Sequence, residues 1–416
     1  MWAWKPLLSH KAPRQDSTTA ERSGARRVGA EVAIITAVDS ILFEARSRQK
    51  QIVALIREMV ECESPSCDPA AVNRFVDLLA DVAPSFARIK TFPGGRFGRH
   101  VVCEFDLPGK KKQGQVLALG HSDTVWPPGT LATMPFRQKD GRLWGPGVLD
   151  MKAGIAFFVY AMRILRDLDV PVPNKVVMQI NSDEEVGSES SRPLTEKNAK
   201  RSRVVLVLEP SAGLEGKLKT ARKGVGDYAI TVRGKAAHSG LDFTDGASAI
   251  LELARQIEKI AGFTDLGRGI TVNPGVISGG TRVNVVAAEA KAQVDMRILR
   301  LKDAEVLDRK FHNLRPVDKR CTIEVKGGLN RPPLERSTAI VQLLRKAQRL
   351  AREMGVELGE SPSGGGSDGN FTAALGVPTL DGIGAVGEGA HALNESILID
   401  RIADRTALLA KLVAAL

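Results

Sequence analysis

At 416 residues, with 43% hydrophobic and 26% charged residues, the chain has an ordinary globular composition and exceeds what one core usually organises, so two domains are expected. No uninterrupted apolar run approaches the roughly 20 residues that span a bilayer, so no membrane partner is expected. The formal charge of +11 raises nucleic acid as a partner. Yet the basic residues lie in short runs such as Lys110-Lys111-Lys112 and Lys200-Arg201-Ser202-Arg203, which read as solvated loops, and aromatics make up only 5%. No nucleic-acid partner is expected, and the basic surface would instead help to collect an anionic small substrate.

Residues 1–37 lack periodicity and are expected to form a disordered extension. The apolar stretch over 30–43 is interrupted by Glu31 and Asp39, so it does not read as a signal peptide, and the cytoplasm is the expected location. The four cysteines, Cys62, Cys67, Cys103 and Cys321, have neither the spacing of a zinc ribbon nor the density of a disulfide scaffold.

From 38 to 79 the pattern is largely helical, with Ile52, Leu55, Ile56, Met59 and Val60 as an apolar stripe. The runs 101–105 and 116–119 predict strands, the second ending at Gly120-His121. A helix over 154–168 follows, then strands over 176–180 and 204–208 that end at Asn181 and Glu209. This alternation predicts an α/β catalytic domain with a mostly parallel sheet covered on both faces. Ligands in such sheets bind beyond the carboxyl ends of the strands. Between 218 and 330 the texture changes to strands over 227–234, 272–277 and 290–298 with helices over 247–260 and 303–314. That pattern predicts an inserted α+β unit with one sheet face open. Residues 331–416, with helices over 337–354 and 398–416, return the chain to the first domain, whose earlier segment is 38–217.

Three motifs place a histidine and carboxylates at successive strand ends: Gly120-His121-Ser122-Asp123-Thr124-Val125, Gly145-Pro146-Gly147-Val148-Leu149-Asp150 and Asn181-Ser182-Asp183-Glu184-Glu185-Val186-Gly187. Imidazole and carboxylates are the ligands zinc takes when one position must stay open for water. A lone histidine is more often structural, and an acidic pair more often an exposed face. The combination, with His391 in Gly387-Glu388-Gly389-Ala390-His391, points to a hydrolytic metal site. Adjacent residues of an extended segment point apart, so Glu184 and Glu185 need a bent backbone to serve one site.

With these motifs in this order, the chain from about residue 45 to its end resembles the M20 family of zinc peptidases, and most of all the glutamate carboxypeptidase (carboxypeptidase G) branch. The resemblance implies two zinc ions, or cobalt or manganese in their place. Asp150 would bridge them, His121 and Glu209 would hold one, and Glu185 and His391 the other. A bridging carboxylate keeps two cations roughly 3.5–4 Å apart. Glu184 matches the general base, and Asp123 a residue that accepts a hydrogen bond from the imidazole of His121. In Ala237-His238-Ser239-Gly240, His238 matches the family's oxyanion-stabilising histidine, often supplied across a homodimer by the partner's lid domain.

Asn284 and Arg297 match lid residues that contact substrate, and the planar fork of Arg297 suits a free carboxylate. Lys217 and Arg331 match positions associated with substrate carboxylates, and Gly364-Gly365-Gly366-Ser367-Asp368 a substrate loop. Met151 stands where that branch often has a second Asp. The implied activity is dinuclear zinc hydrolysis of an amide, releasing a C-terminal amino acid, glutamate being one candidate, from a small peptide or N-acyl amino acid. An N-acyl-amino-acid deacylase or a dipeptidase is the alternative within the family. A non-catalytic metal-binding dimerisation protein is the alternative outside it, marked by loss of Glu184 or a ligand, and neither is lost.

Overall fold

The computed structural model describes residues 40–416, and the disorder expected for 1–37 lies outside the described residues. A helix over 40–47 leads into the helix Gln49–Glu61, which buries the predicted stripe of Ile52, Leu55, Ile56, Met59 and Val60. The helical reading of 38–79 misses a break at 62–68. Pro65 and Pro69 disfavour helix in the residues before them. Asp68 then restarts the helix Pro69–Val82 as its N-cap, its carboxylate accepting the N–H groups of Ala70 and Ala71 at 2.9 and 3.0 Å.

Six strands form the central sheet, in the order Ala87–Pro93, Arg99–Phe105, Lys175–Asn181, Gln115–His121, Val204–Val207, Thr379–Leu380. The first two pairings are antiparallel and the other three parallel. In the strand Gln115–His121 every residue after Gln115 is buried, the mark of a strand covered on both sides. Val116 and Ala118 enter the main core, whereas Leu117 and Leu119 pack with Val177, Ala199, Val205 and Val207 on the opposite face. The strand runs two residues past its predicted end, because His121 still pairs with Asn181. The helix Ala153–Asp167 is apolar nearly all round and correspondingly buried, packed against Gln49–Glu61 and Ile402–Ala415.

A second, four-stranded antiparallel sheet has the order Thr271–Gly279, Glu289–Ile298, Gly224–Arg233, Thr322–Arg331. The helices Ala249–Ala261 and Leu301–His312 pack against it and close a separate core, in which the Tyr228 ring stacks on Phe311 at 3.8 Å between centroids. Thr322–Arg331 escaped the pattern reading because Gly327-Gly328 interrupts its alternation. Gly327 has φ +123°, and a Cβ there would lie 2.0 Å from the Asp227 carbonyl oxygen, so close strand approach requires glycine. The strand Leu218–Arg222 stays with the first core, pairing in parallel with Glu360–Ser363. No helix among the described residues is long and apolar enough to cross a membrane.

The four parallel strands of the central sheet end at one edge, and the chain leaving them carries Ser122-Asp123, Ser182 to Glu185, Glu209 and Asp381. Residues far apart in sequence meet there for that reason. Removing the Asp68 cap by Asp68→Ala should lower stability by about 1 kcal/mol. Urea unfolding checks this, and an unchanged midpoint would mean the cap contributes nothing.

Candidate metal centre

His121 closes its strand with a ring that is almost fully buried. Its Nδ1 donates to the backbone oxygen of Asp123 at 2.9 Å, which turns Nε2 toward Asp150 Oδ1 at 3.2 Å and Glu209 Oε1 at 3.5 Å. Asp150 sits in the buried loop before the helix Ala153–Asp167, next to a cis Asp150–Met151 peptide bond. Its second oxygen, Oδ2, lies 3.4 Å from Nε2 of His391, which is itself 3.3 Å from Glu185 Oε1. The two oxygens of one carboxylate thus face two imidazoles, each with a further glutamate beside it.

Glu184 and Glu185 lie in a short 3-10 turn, Glu184–Val186, that supplies the bend both side chains need. The Asp123 carboxylate holds that turn, accepting the backbone N–H of Glu184 at 3.1 Å and of Glu185 at 3.2 Å. Donor atoms of His121, Asp150 and Glu185, and of His121, Glu184 and Glu209, fall within 4.8 Å of one another, close enough for each set to hold a metal ion. The buried Glu185 Oε1 has only the His391 imidazole beside it, at 3.3 Å, a partner that a cation can share. Imidazoles and carboxylates without a thiolate suit a catalytic metal better than a structural one.

The family model for peptidase family M20/M25/M40 matches residues 117–415. The chain belongs to this family. Carboxypeptidase G2 of Pseudomonas sp. (strain RS-16) is 27% identical over 384 residues, covering 90% of this chain and 92% of that protein. The aminopeptidase PepT of Bacillus cereus ATCC 10987 has the same fold, with a TM-score of 0.72, 24% identity, and 88% and 98% of the two chains covered. The Bacillus subtilis YXEP protein, a dinuclear metal-binding peptidase from the M20 family, matches at TM-score 0.63 and 13% identity over 89% of this chain and 98% of its own. This M20 chain is an enzyme of the metallopeptidase class, with a cluster whose side chains could hold metal.

Several expected roles look different in three dimensions. Asp123 meets His121 through its backbone oxygen, with its carboxylate oxygen at 3.6 Å from the ring, and uses that carboxylate on the acidic turn and on Ser66. Arg331 does not present a free cation to a substrate. Its guanidinium is buried, donating to Glu184 Oε1 at 3.0 Å, to the Glu184 carbonyl at 2.7 Å and to Asp368 at 2.7 Å. Lys217 is partly exposed and pairs loosely with Glu215 at 3.9 Å.

The remaining expected residues sit on the four-stranded unit. Arg297 is bound to Asp295, while the exposed His238 lies beside Asn284, whose carbonyl accepts the Ser239 N–H. Among the described contacts, none of Lys217, His238, Asn284 and Arg297 reaches the cluster within this chain. In the glycine-rich loop, the carbonyls of Gly365 and Gly366 accept from Arg222, whose guanidinium also clamps Asp381 and reaches Glu209 Oε2 at 3.2 Å.

Two groups that organise the centre escaped the sequence reading. The fully buried Glu395 accepts the N–H groups of Gly147, Leu149 and Asp150 at 2.8 to 3.0 Å and the Trp126 indole at 2.8 Å, and so fixes the loop that carries Asp150. Arg222, at 3% side-chain exposure, orients Glu209. No sequence pattern marks a buried ion's partner when that partner lies far along the chain.

Packing shifts both imidazoles of the centre toward their protonated forms. Hydrogen bonds to Asp150 and Glu185 push His391 up to about 10. Burial opposes charge on His121, but hydrogen bonds to Asp150 and Glu209 outweigh it and hold the ring well above its ordinary value. Burial likewise drives Glu184 well above the usual carboxylate range, against the pull of Arg331, and lifts Asp123 to about 6. A raised imidazole keeps its proton until the pH passes its shifted value, and a cation binds only the neutral ring.

Binding of divalent cations at pH 8 should therefore release on the order of two protons, from His121 and His391, and affinity should rise with pH up to about 10. Titration calorimetry in buffers of different ionisation enthalpy measures the number released, and none released would contradict this electrostatic picture. Glu395→Ala should weaken cation binding roughly 10- to 100-fold by loosening the Asp150 loop. Competition with a metal-sensitive dye reads that change, and unaltered affinity would remove Glu395 from the centre's support.

Proposed function

We propose that this chain is a dinuclear zinc hydrolase that cleaves an amide bond and releases a C-terminal amino acid from an N-acyl or peptidyl group. The observation that carries the reading is Asp150, one carboxylate shared between the pair His121 and Glu209 and the pair His391 and Glu185. These five side chains would hold two cations, with zinc the proposed metal and cobalt or manganese able to use the same ligands. When bound, the cations supply Lewis acidity that makes water nucleophilic at neutral pH and polarises the scissile carbonyl.

Glu184 is the proposed general base. It lies beside the cluster while Arg331 holds one of its oxygens at 3.0 Å, so it is placed to take a proton from water and return it to the leaving amine. The division into a catalytic layer, 38–217 with 331–416, and a lid, 218–330, belongs to the same reading, with Leu218–Arg222 moved from the lid to the catalytic layer, whose core it joins. On the lid, His238 Nδ1 accepts the N–H groups of Gly240 and Leu241 at 3.1 and 3.2 Å, which leaves the proton of the neutral ring on Nε2, pointing outward as a donor. The ring is exposed and makes no described contact with its own chain's cluster. A homodimer that brings the partner's lid to this centre supplies the missing oxyanion donor, with Asn284 beside it and Arg297 turning from Asp295 to the substrate carboxylate. The lid's edge strand Thr271–Gly279 exposes Val276 and Ile277, at 61% and 59%, as apolar surface for such pairing.

Glu184→Gln should retain both cations and lose hydrolysis by roughly 10²- to 10⁴-fold. Assays of N-acyl amino acids and dipeptides beside metal analysis test it, and an active, fully loaded variant would sink the assignment. Dimers mixed from Glu184→Gln and His238→Ala should recover activity that neither variant shows alone, because one centre then has its own Glu184 and its partner's His238. Failure to recover would place His238 in its own chain's reaction or outside the reaction altogether.

A further inference from the structure

We infer that the apolar cavity beside Glu185 receives the acyl side of the substrate, and that this chain acts on amino acids carrying a bulky, uncharged apolar acyl group rather than on peptides with a free amine. The inference rests on the amide-hydrolase reading and narrows it. The cavity, of about 610 Å³, is walled by Phe97, Val125, Trp126, Pro128 and Val186, with Glu185 also in its lining. Glu185 also lies 3.3 Å from His391, so one side chain belongs both to the cavity wall and to the cluster. A group seated there has its reacting end at the centre. A larger cleft of about 690 Å³, walled by Leu299, Arg300, Leu334 and Arg336, contains no residue of the cluster.

The walls grow directly from the catalytic turns. Val125 lies two residues after Asp123, and Val186 follows Glu185, and both side chains stand open to solvent, at 43% and 50% exposure. Apolar surface beside a reactive centre gains by being covered, and an acyl chain covers it. The charge of the walls selects against an amine. Arg96 is engaged by Glu189 at 2.6 Å and lies over the Phe97 ring at 4.7 Å. Glu185 faces His391 and is reserved for a cation. An α-ammonium entering this space would shed water without finding a free carboxylate among the lining side chains, a cost that an uncharged acyl group does not meet.

The test uses N-octanoyl, N-acetyl and N-glycyl derivatives of glutamate, alanine and phenylalanine with the cation-loaded enzyme. The octanoyl compounds should exceed the acetyl and glycyl ones in kcat/KM by on the order of 10- to 100-fold. Phe97→Ala and Val125→Asp should each cut that preference about 10-fold. A preference for acetyl or glycyl compounds, or a ratio unmoved by both variants, overturns the cavity assignment.

A second readout needs neither metal nor turnover. Cys67, the one exposed cysteine, lines the cavity, so N-octanoyl amino acids should slow its alkylation by N-ethylmaleimide several-fold in the cation-free chain where N-acetyl ones do not, with Cys67→Ser identifying the labelled site. Absence of hydrolysis with every substrate would defeat the hydrolase reading, while the alkylation result still decides whether this cavity takes an apolar acyl group. Equal alkylation rates with all ligands would overturn it.

Discussion

A set of carboxylates held close together out of water is the constraint on which the rest of this structure depends. Asp123, Asp150, Glu184, Glu185 and Glu209 meet at one sheet edge, with Asp368, Asp381 and Glu395 packed behind them. Buried negative charges at such spacing are costly unless each has a partner. The chain supplies partners of three kinds. Arg222 and Arg331 provide fixed positive charge, backbone N–H groups satisfy Asp123 and Glu395, and His121 and His391 supply imidazoles drawn toward their charged forms by the neighbouring carboxylates. The first two kinds are permanent. In the proposed function the third is exchangeable, the imidazole protons giving way to cations, and that would make the edge a metal centre and not simply a buried ion network.

The architecture follows from that need. Only the edge formed by the carboxyl ends of parallel strands brings so many separate segments together with their backbone groups facing outward, and the strands there are apolar enough to hold the edge rigid. The long helix Ala153–Asp167 anchors the loop of Asp150 from beneath, and Glu395 fixes it from a segment 245 residues further on. The second sheet has its own core and carries His238, Asn284 and Arg297, which make no described contact with the centre of the same chain. In the proposed function the metal-binding layer would activate and the unit bearing His238, Asn284 and Arg297 would recognise, which is why a second copy of the chain enters that reading.

His121, Glu184, Glu185 and Glu209 were legible because they follow apolar strands of the central sheet, where hydrophobic patterning is strongest and the strand end announces itself. Asp150, in the turn Val148–Lys152, and His391, after a glycine-rich segment, were legible only through the order of the motifs, and the structure gathers all six residues. Arg331 shows where such reading fails. A cation in sequence has no visible partner, so Arg331 resembled a substrate-binding residue, whereas it is buried against Glu184 and Asp368. The strand Thr322–Arg331 was hidden by two glycines that break its alternation yet are required by the close approach of a neighbouring strand.

By itself, then, the sequence determined the elements of the main layers, the strand ends and the identity of the potential metal ligands, because apolar periodicity and residue chemistry are local properties. Only the tertiary structure decided which oxygen of Asp150 faces which imidazole, that Asp123 caps the acidic turn, that Glu395 and Arg222 orient the centre, and which apolar walls adjoin it. Those features arise between segments separated by up to 248 residues. Pairing across such distances depends on how the layers pack, and no local pattern carries that information.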